Sequence, residues 1–413
     1  MTAPLQTNLD LDFVRAQFPA FAEPSLAGQA FFENAGGSYA CRQVVDRLTR
    51  FYRARKVQPY APYPASGAGG AEMDEARDRL AALLGVEAEE LHFGPSTSQN
   101  TYVLAQAFRS LLGAGDAVVV TDQDHEANSG AWRRLADMGV EIREWRVDPD
   151  TGMLDSAGLA RLLDGRVRLV CFPHCSNVVG AINPVADWVA LIHAAGALAC
   201  VDGVAYAPHG LPDVGALGAD VYLFSSYKTY GPHQGVMVVR RALGERLPNQ
   251  GHWFNAGVAS KRLTPAGPDH AQIAACAGIA DYVDALHDRH FADAADPAER
   301  ATRVARLQRE HETRLLAPLL DWLGTRDDLR LIGPAEAAAR APTVALAHAR
   351  PGAEIAARLA PHGILAGGGH FYAVRLLEAV GVPRDHGVLR LSFVHYTSPE
   401  EVDRLIRALE AVL

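Results

Sequence analysis

The chain has 413 residues, with 39 basic and 48 acidic side chains and a formal net charge of −9 at pH 7. A single hydrophobic core rarely grows beyond about 250–300 residues, so we expect one large domain and one smaller domain. Apolar residues make up 49% and charged residues 21% of the chain, a composition that excludes intrinsic disorder. The negative charge argues against a nucleic-acid partner, because phosphate binding needs clustered Lys and Arg.

The sequence also bears on the cellular compartment. Acidic residues occur in the first 18 positions, where a signal peptide has a basic region and then an apolar stretch. No segment approaches the ~18 consecutive apolar residues of a membrane-spanning helix. The five cysteines are too few and too scattered for a disulfide framework, and the one close pair, in CFPHC, lacks a second cluster at zinc spacing. We therefore expect a cytoplasmic protein with no membrane partner and no metal site.

Short apolar runs alternate with helical patterns between about residues 81 and 235. This alternation predicts a parallel sheet with helices on both faces, and the strands are the runs DAVVVTD, RVRLVCFP, ALACVDG and VYLFSS. Later helices and short strands such as VLRLSFVHY predict a smaller α/β domain. The predicted boundaries are 31–287 for the large domain, and 1–30 with 288–413 for the small one. Residues 58–71, rich in Pro, Gly and Tyr, predict a long irregular loop.

Three polar features follow predicted strands. A turn with small hydroxyl residues, Ser96, Thr97 and Ser98, opens a helix, where free backbone amides suit a phosphate; an ordinary helix cap is the alternative. Asp202 ends a strand, where ligands bind in open α/β sheets; it could instead cap the following turn. Lys228, one of three lysines in the chain, follows a strand and precedes a Gly-Pro turn; the alternative is a surface lysine.

Taken together, these features are what pyridoxal 5'-phosphate (PLP) requires. The lysine amine bonds covalently to the cofactor, and the carboxylate keeps the pyridine nitrogen protonated so that the ring accepts electrons. The helix N-terminus holds the phosphate. The sequence therefore predicts a PLP enzyme.

On these residues, and on the motifs FFENAGGSY, DHEANSGAW, HCSNVVG and GVLRLSF, the chain resembles the class V aminotransferases of the fold type I PLP enzymes, and in particular cysteine desulfurases. The resemblance covers nearly the whole chain. It implies an α/β fold with a mainly parallel sheet sandwiched by helices, a smaller C-terminal α/β domain, and a homodimer. It implies these roles: cofactor binding by Thr97, Ser98, His125, Asn177, Asp202, Ser225, Tyr227 and Lys228; substrate binding by Asn34, Asn177 and Arg390; catalysis by Lys228, His125 and Tyr372.

Several positions depart from the family pattern. Tyr372 falls where desulfurases carry their nucleophilic cysteine on a mobile loop, which the three glycines 367–369 would allow to hinge. A phenol, with a pKa near 10, yields little anion at neutral pH, and its oxygen carries no persulfide. Gly367 replaces an arginine of that loop, Ala205 replaces a glutamine near the ring, and Tyr227 replaces the usual histidine before the lysine. Gly267 is nearest to a threonine that reaches the partner subunit's phosphate in relatives.

We therefore expect a PLP enzyme that acts on a small amino-acid substrate. The first expectation is a lyase that cleaves a C–S (Cβ–X) bond by β-elimination, because elimination needs no protein thiol. Transamination or epimerisation of an amino acid is the alternative. A PLP-binding protein without turnover is a third possibility, against which the retention of Lys228, Asp202 and Arg390 argues.

Overall fold

A computed structural model describes residues 8–413. Within these residues there are thirteen strands: β1 Ala30–Phe31, β2 Leu91–Gly94, β3 Ala117–Thr121, β4 Glu141–Trp145, β5 Val167–Pro173, β6 Leu198–Asp202, β7 Val221–Ser225, β8 Gly235–Val239, β9 Arg330–Ile332, β10 Thr343–Ala347, β11 Ile364–Leu365, β12 Gly367–Gly369 and β13 Val388–Ser392. The same residues form fifteen α-helices: α1 Leu11–Ala16, α2 Arg42–Ala54, α3 Pro64–Leu83, α4 Thr97–Phe108, α5 Glu126–Arg133, α6 Ser156–Leu162, α7 Val185–Ala194, α8 Val214–Leu217, α9 Arg241–Gly244, α10 His270–Ala275, α11 Ala277–His290, α12 Pro297–Leu323, α13 Gly352–Leu359, α14 Val374–Ala379 and α15 Pro399–Val412.

A seven-stranded sheet of order β2-β8-β7-β6-β5-β3-β4 forms the centre of the molecule. Strands β4, β3, β5, β6 and β7 are parallel, and β8 runs antiparallel to both of its neighbours. The four apolar runs predicted as buried strands are β3, β5, β6 and β7, so the predicted α/β fold with a mainly parallel sheet is confirmed. Because parallel strands end at the same edge, residues that follow β5, β6 and β7 meet there.

The sheet is covered on both faces. Successive residues of β3 enter different cores: Val119 packs in the cluster with helices α3, α7 and α11, whereas Val118 and Val120 pack in the cluster with α4 and α5. This alternation follows from the two-residue period of a strand. It explains why these strands are apolar at most positions, as a sheet buried on both sides requires.

A second sheet, of order β12-β13-β10-β9, is antiparallel throughout and packs with helices from the C-terminal part of the chain. Strands β1 and β11 form a separate parallel pair. The domain boundaries given above stay a prediction, and residues 1–7 of the predicted small domain lie outside the described residues. No helix in residues 8–413 is long and apolar enough to cross a membrane, and the same residues contain no group of His, Cys, Asp or Glu suited to a metal ion.

The predicted loop at residues 58–71 is wrong in its second half, because α3 begins at Pro64. Proline suits the first turn of a helix, since the N–H that it lacks has no partner there. One of the glycines that suggested a loop is needed for packing: a Cβ on Gly70 would lie 2.6 Å from the ring of Tyr60. Close contact with Tyr60, which lies just before the helix, explains the small residue at position 70.

Candidate active site

One cavity opens at the edge where the parallel strands end. All eight residues predicted to bind the cofactor line it: Thr97, Ser98, His125, Asn177, Asp202, Ser225, Tyr227 and Lys228. Asp202 is the last residue of β6 and Ser225 the last residue of β7, so the sheet itself brings their side chains to this edge.

The first wall of the cavity is the N-terminus of α4. Ser96 caps this helix, and its hydroxyl accepts a hydrogen bond from the Gln99 amide at 3.2 Å. The hydroxyls of Thr97 and Ser225 are hydrogen-bonded at 2.8 Å, which ties the helix to the end of β7. A Cβ on Gly235 would lie 2.6 Å from the Thr97 amide nitrogen, so glycine lets β8 approach this turn closely. The arrangement of free amides and hydroxyls suits a phosphate group.

Asp202 and Lys228 are buried, with 5% and 7% of their surfaces exposed. Burial raises the pKa of Asp202 to about 6, against the lowering effects of its hydrogen bond from the Val204 amide and of the Lys228 charge. Burial and the charge of Arg390 lower the pKa of Lys228 to about 8. The lysine amine is therefore neutral in a large fraction of molecules at mildly alkaline pH, as a nucleophile or base requires.

His125 is the N-cap of α5 and lies at the side of the cavity. Its Nδ1 accepts a hydrogen bond from the Ala127 amide at 3.0 Å. Burial, together with the charges of Lys228 and Arg390, lowers its pKa to about 3. The ring is therefore neutral at physiological pH and carries its proton on Nε2.

Asn177 has one unused polar atom. Its Nδ2 donates to the Phe371 carbonyl at 3.0 Å, whereas its Oδ1 is buried without a hydrogen-bond partner among the described residues. An unpaired buried acceptor beside a cavity indicates that a donor group belongs there. The ring hydroxyl of PLP is such a donor. Together with the turn at Thr97, the buried carboxylate of Asp202 and the amine of Lys228, this residue set fits PLP.

The structure adds a residue that the sequence analysis missed. His233 lines the same cavity, and its ring stacks on the ring of Tyr227 with centroids 4.7 Å apart and an interplanar angle of 9°. His233 follows Lys228 by five residues in the segment YKTYGPHQG. In the sequence, only its position next to a Gly-Pro turn could have pointed to this histidine. Its stacking on Tyr227 is seen only in the fold.

Two of the predicted substrate ligands do not line the cavity. The side chain of Asn34 is fully engaged elsewhere: Nδ2 donates to the carbonyls of Phe31 and Ser392, each at 3.2 Å, and Oδ1 accepts from the Tyr396 hydroxyl. It ties the chain after β1 to the end of β13. Arg390 lies in the middle of β13 and is 3% exposed, next to but not on the cavity wall.

The segment from His370 to Tyr372 lies beside the cavity, although none of its residues lines it. The Tyr372 carbonyl accepts a hydrogen bond from the Glu126 amide at 2.8 Å, and the Tyr372 ring lies 5.3 Å from the ring of His125. Phe371 and Tyr372 both have positive φ, 49° and 59°, an unfavourable conformation for such residues that these contacts stabilise. Tyr372 is nevertheless 67% exposed.

The expectation that the three glycines before this segment act as a hinge is wrong. They form β12, which pairs with β13. A Cβ on Gly368 would lie 2.2 Å from the backbone of Gly352, so glycine serves close packing here. The pairing of β12 with β13 fixes the backbone directly before His370.

Comparisons with known proteins identify the family of this chain. The family model "Aminotransferase class-V" matches residues 30–405. The chain is 33% identical to the aminotransferase-like protein FGM3 of Gibberella zeae, over 98% of this chain and 99% of that protein. It is 30% identical to a cysteine desulfurase of Yersinia pestis, over 98% of both chains.

Solved structures show the same fold. The cysteine desulfurase CsdA of Escherichia coli superposes with a TM-score of 0.81 at 25% identity, covering 98% of this chain and 99% of that one. An apo cysteine desulfurase from Thermococcus onnurineus NA1 superposes with a TM-score of 0.85 at 22% identity, covering 98% of each chain. Because the family match spans nearly the whole chain and the cavity residues suit PLP, this protein belongs to the class V aminotransferase family and is a PLP-dependent enzyme of fold type I.

Proposed function

We propose that this enzyme is a lyase that cleaves the Cβ–S bond of an amino acid by β-elimination, without a protein persulfide. For cysteine, the balanced reaction takes up one water and yields pyruvate, ammonia and hydrogen sulfide. The observation that carries the proposal is the absence of an accessible thiol: all five cysteines are buried. A persulfide mechanism needs an exposed thiolate beside the substrate.

Cys175 is the cysteine closest to the chemistry, since it lines the cavity. It is 2% exposed, and its thiol donates to the Gly180 carbonyl at 3.3 Å. Burial raises its pKa to about 12, so the thiol stays protonated at physiological pH. A protonated, buried thiol is a poor nucleophile.

The residues of the cavity supply the remaining steps. PLP, when bound, supplies an aldehyde for the substrate amine and a ring that accepts electrons from Cα. Asp202 holds the proton on the pyridine nitrogen, and Lys228 Nζ takes the proton from Cα. The Cβ–S bond then breaks with its electron pair leaving on sulfur, which takes up a proton and departs as hydrogen sulfide. Water then hydrolyses the remaining three-carbon fragment to pyruvate and ammonia.

Tyr372 is the proposed proton donor to the leaving sulfur. Its ring lies beside His125, which lines the cavity, and its carbonyl is held by the Glu126 amide, yet its side chain is largely exposed. His125 contributes its Nε2–H as a second hydrogen-bond donor.

Supplying L-cysteine and measuring pyruvate, alanine and sulfide tests the proposal. We expect pyruvate and sulfide in equal amounts, with no alanine and no persulfide on any cysteine by peptide mass mapping. A Cys175→Ala variant should keep this stoichiometry, since the thiol takes no part. Stoichiometric alanine with a persulfide on a cysteine would contradict the elimination mechanism.

Transamination is the second candidate function. The relative with 33% identity bears the name aminotransferase-like protein, and transamination requires the same amine, carboxylate and phosphate turn. Epimerisation requires the same residues as well. Detection of a 2-oxo acid that keeps its β-substituent would favour transamination, because elimination removes that substituent.

We also propose that the enzyme is a homodimer. The loop before α10 exposes large apolar side chains: Trp253 is 85% and Phe254 is 66% exposed. This loop and Tyr60 border one surface cleft. Apolar side chains exposed together usually mark an interaction surface, and a second copy of the chain would cover them.

For the compartment, we propose the cytoplasm. The five cysteines are unpaired, including Cys171 and Cys200, which are opposite each other on the adjacent strands β5 and β6. Free thiols persist in reducing compartments, whereas disulfides form in oxidising ones.

The lowered pKa of Lys228 predicts a pH dependence for cofactor uptake. A neutral amine reacts with the PLP aldehyde, so the rate of covalent attachment to apoprotein should rise with pH up to about 8 and then level off. Arg390→Gln removes a repelling charge, which raises the pKa of Lys228 and moves the midpoint to higher pH. Stopped-flow absorbance measures this profile. A wild-type midpoint near the ordinary lysine value of 10.5 would contradict it.

A further inference from the structure

The guanidinium of Arg390 is enclosed on several sides. Its Nη2 donates to the Glu33 carboxylate, and its Nη1 donates to the Asn177 carbonyl at 3.1 Å. The Phe371 ring lies over the group, with its centroid 3.8 Å from Cζ. Nε is buried without a hydrogen-bond partner among the described residues.

This enclosure conflicts with the bidentate binding that a substrate carboxylate would use. A bidentate ion pair uses Nη2 together with either Nη1 or Nε. Glu33 already holds Nη2 and Nη1 donates to the Asn177 carbonyl, so of the three nitrogens only the buried Nε is unpaired. A substrate carboxylate therefore reaches Arg390 bidentately only after the Glu33 carboxylate has left.

The Glu33 carboxylate lies in a space left by Gly367 and has few contacts there. A Cβ on Gly367 would lie 2.2 Å from Glu33 Oε2, so a larger residue at position 367 would exclude the carboxylate. Oε2 has no hydrogen-bond partner among the described residues, and the side chain is 28% exposed. When the Glu33 carboxylate moves away, the main contact that it loses is therefore its hydrogen bond with Arg390.

We propose that Glu33 determines specificity by acting as an internal competitor for the substrate carboxylate. Its carboxylate occupies Arg390 in the free enzyme, and a ligand binds productively by bringing a carboxylate that replaces it. An amine without a carboxylate leaves the Glu33–Arg390 pair intact, so Arg390 adds nothing to its binding affinity. This inference rests on the proposed function, in which Arg390 binds the substrate carboxylate.

A pair of ligands that differ by one carboxylate tests the inference. L-Alanine and ethylamine are titrated into the holoenzyme while the cofactor absorbance is followed; L-alanine has no leaving group on Cβ. Glu33→Gln keeps the size of the side chain but removes its charge. We expect the Kd for L-alanine to fall by about 10-fold, as for the loss of one competing charge-assisted hydrogen bond, and the Kd for ethylamine to stay within about 2-fold.

Gly367→Ala is an independent variant, because its methyl group displaces the Glu33 carboxylate without changing any charge. It should also tighten L-alanine binding. Glu126→Gln is the matched control: it removes an exposed carboxylate near the site that pairs with Arg375 at 3.5 Å and does not touch Arg390. It should leave both affinities unchanged. Unchanged or weaker L-alanine binding in both Glu33→Gln and Gly367→Ala would overturn the inference.

Arg390→Gln separates this inference from the proposed function. If it abolishes L-alanine binding and Glu33→Gln still fails to tighten binding, the role of Glu33 is wrong while Arg390 remains the carboxylate ligand. If Arg390→Gln leaves L-alanine binding unchanged in both the wild-type and the Glu33→Gln backgrounds, the substrate-binding role of Arg390 is itself wrong.

Discussion

Lys228→Arg should reduce turnover by about 10²- to 10⁴-fold, the range that a positioned general base contributes. Arginine keeps the positive charge but has no amine that deprotonates near neutral pH, so it neither bonds to PLP nor takes a proton from Cα. PLP should still bind through the turn at Thr97 and the carboxylate of Asp202. Borohydride should then fail to fix the cofactor to the protein, whereas in the wild type it should leave a pyridoxyl group on the Lys228 peptide.

The other lysines provide the control for this experiment. Lys261 is exposed, and Lys56 lies at the surface with Nζ 5.1 Å from the ring centroid of Tyr52. Replacing either with arginine should leave turnover and borohydride labelling unchanged. A pyridoxyl group on Lys56 or Lys261, or near-normal turnover of Lys228→Arg, would overturn the assignment of the cofactor lysine.

Asp202→Asn should weaken PLP binding and turnover together. Removing one partner of a buried ion pair costs about 3–5 kcal/mol, which corresponds to about 150- to 4,000-fold shared between affinity and rate. The amide keeps the size of the carboxyl group but offers the pyridine nitrogen no negative charge. Fluorescence titration of apoprotein with PLP measures the loss of affinity, and steady-state kinetics of the PLP-saturated variant measure the loss of turnover.

Asp122→Asn is a matched control for Asp202. Asp122 is also buried, follows strand β3 of the same sheet, and accepts a hydrogen bond from the Val147 amide at 2.8 Å. Burial raises its pKa to about 6 as well, yet it does not line the cavity. The control should keep PLP affinity and turnover. Equal effects of the two substitutions would indicate that Asp202 acts through stability alone.

The sequence by itself determined the central sheet and the residues along its carboxyl edge. Apolar runs that alternate with helical patterns leave a parallel sheet as the favoured arrangement, and parallel strands end at one edge. Thr97, Asp202 and Lys228 therefore converge, although up to 131 residues separate them in the chain. Each of these positions carries a local signal, a strand end followed by a polar residue.

The tertiary structure alone decided the features that depend on distant segments. Asn34 bonds to Tyr396 and Glu33 to Arg390, across 362 and 357 residues, and no local pattern encodes such contacts. In a sequence, glycine suggests a flexible backbone. In α3 and in β12, however, glycine permits close packing against other residues. The side chains that surround Arg390, and hence its access to a substrate carboxylate, follow from how these segments pack.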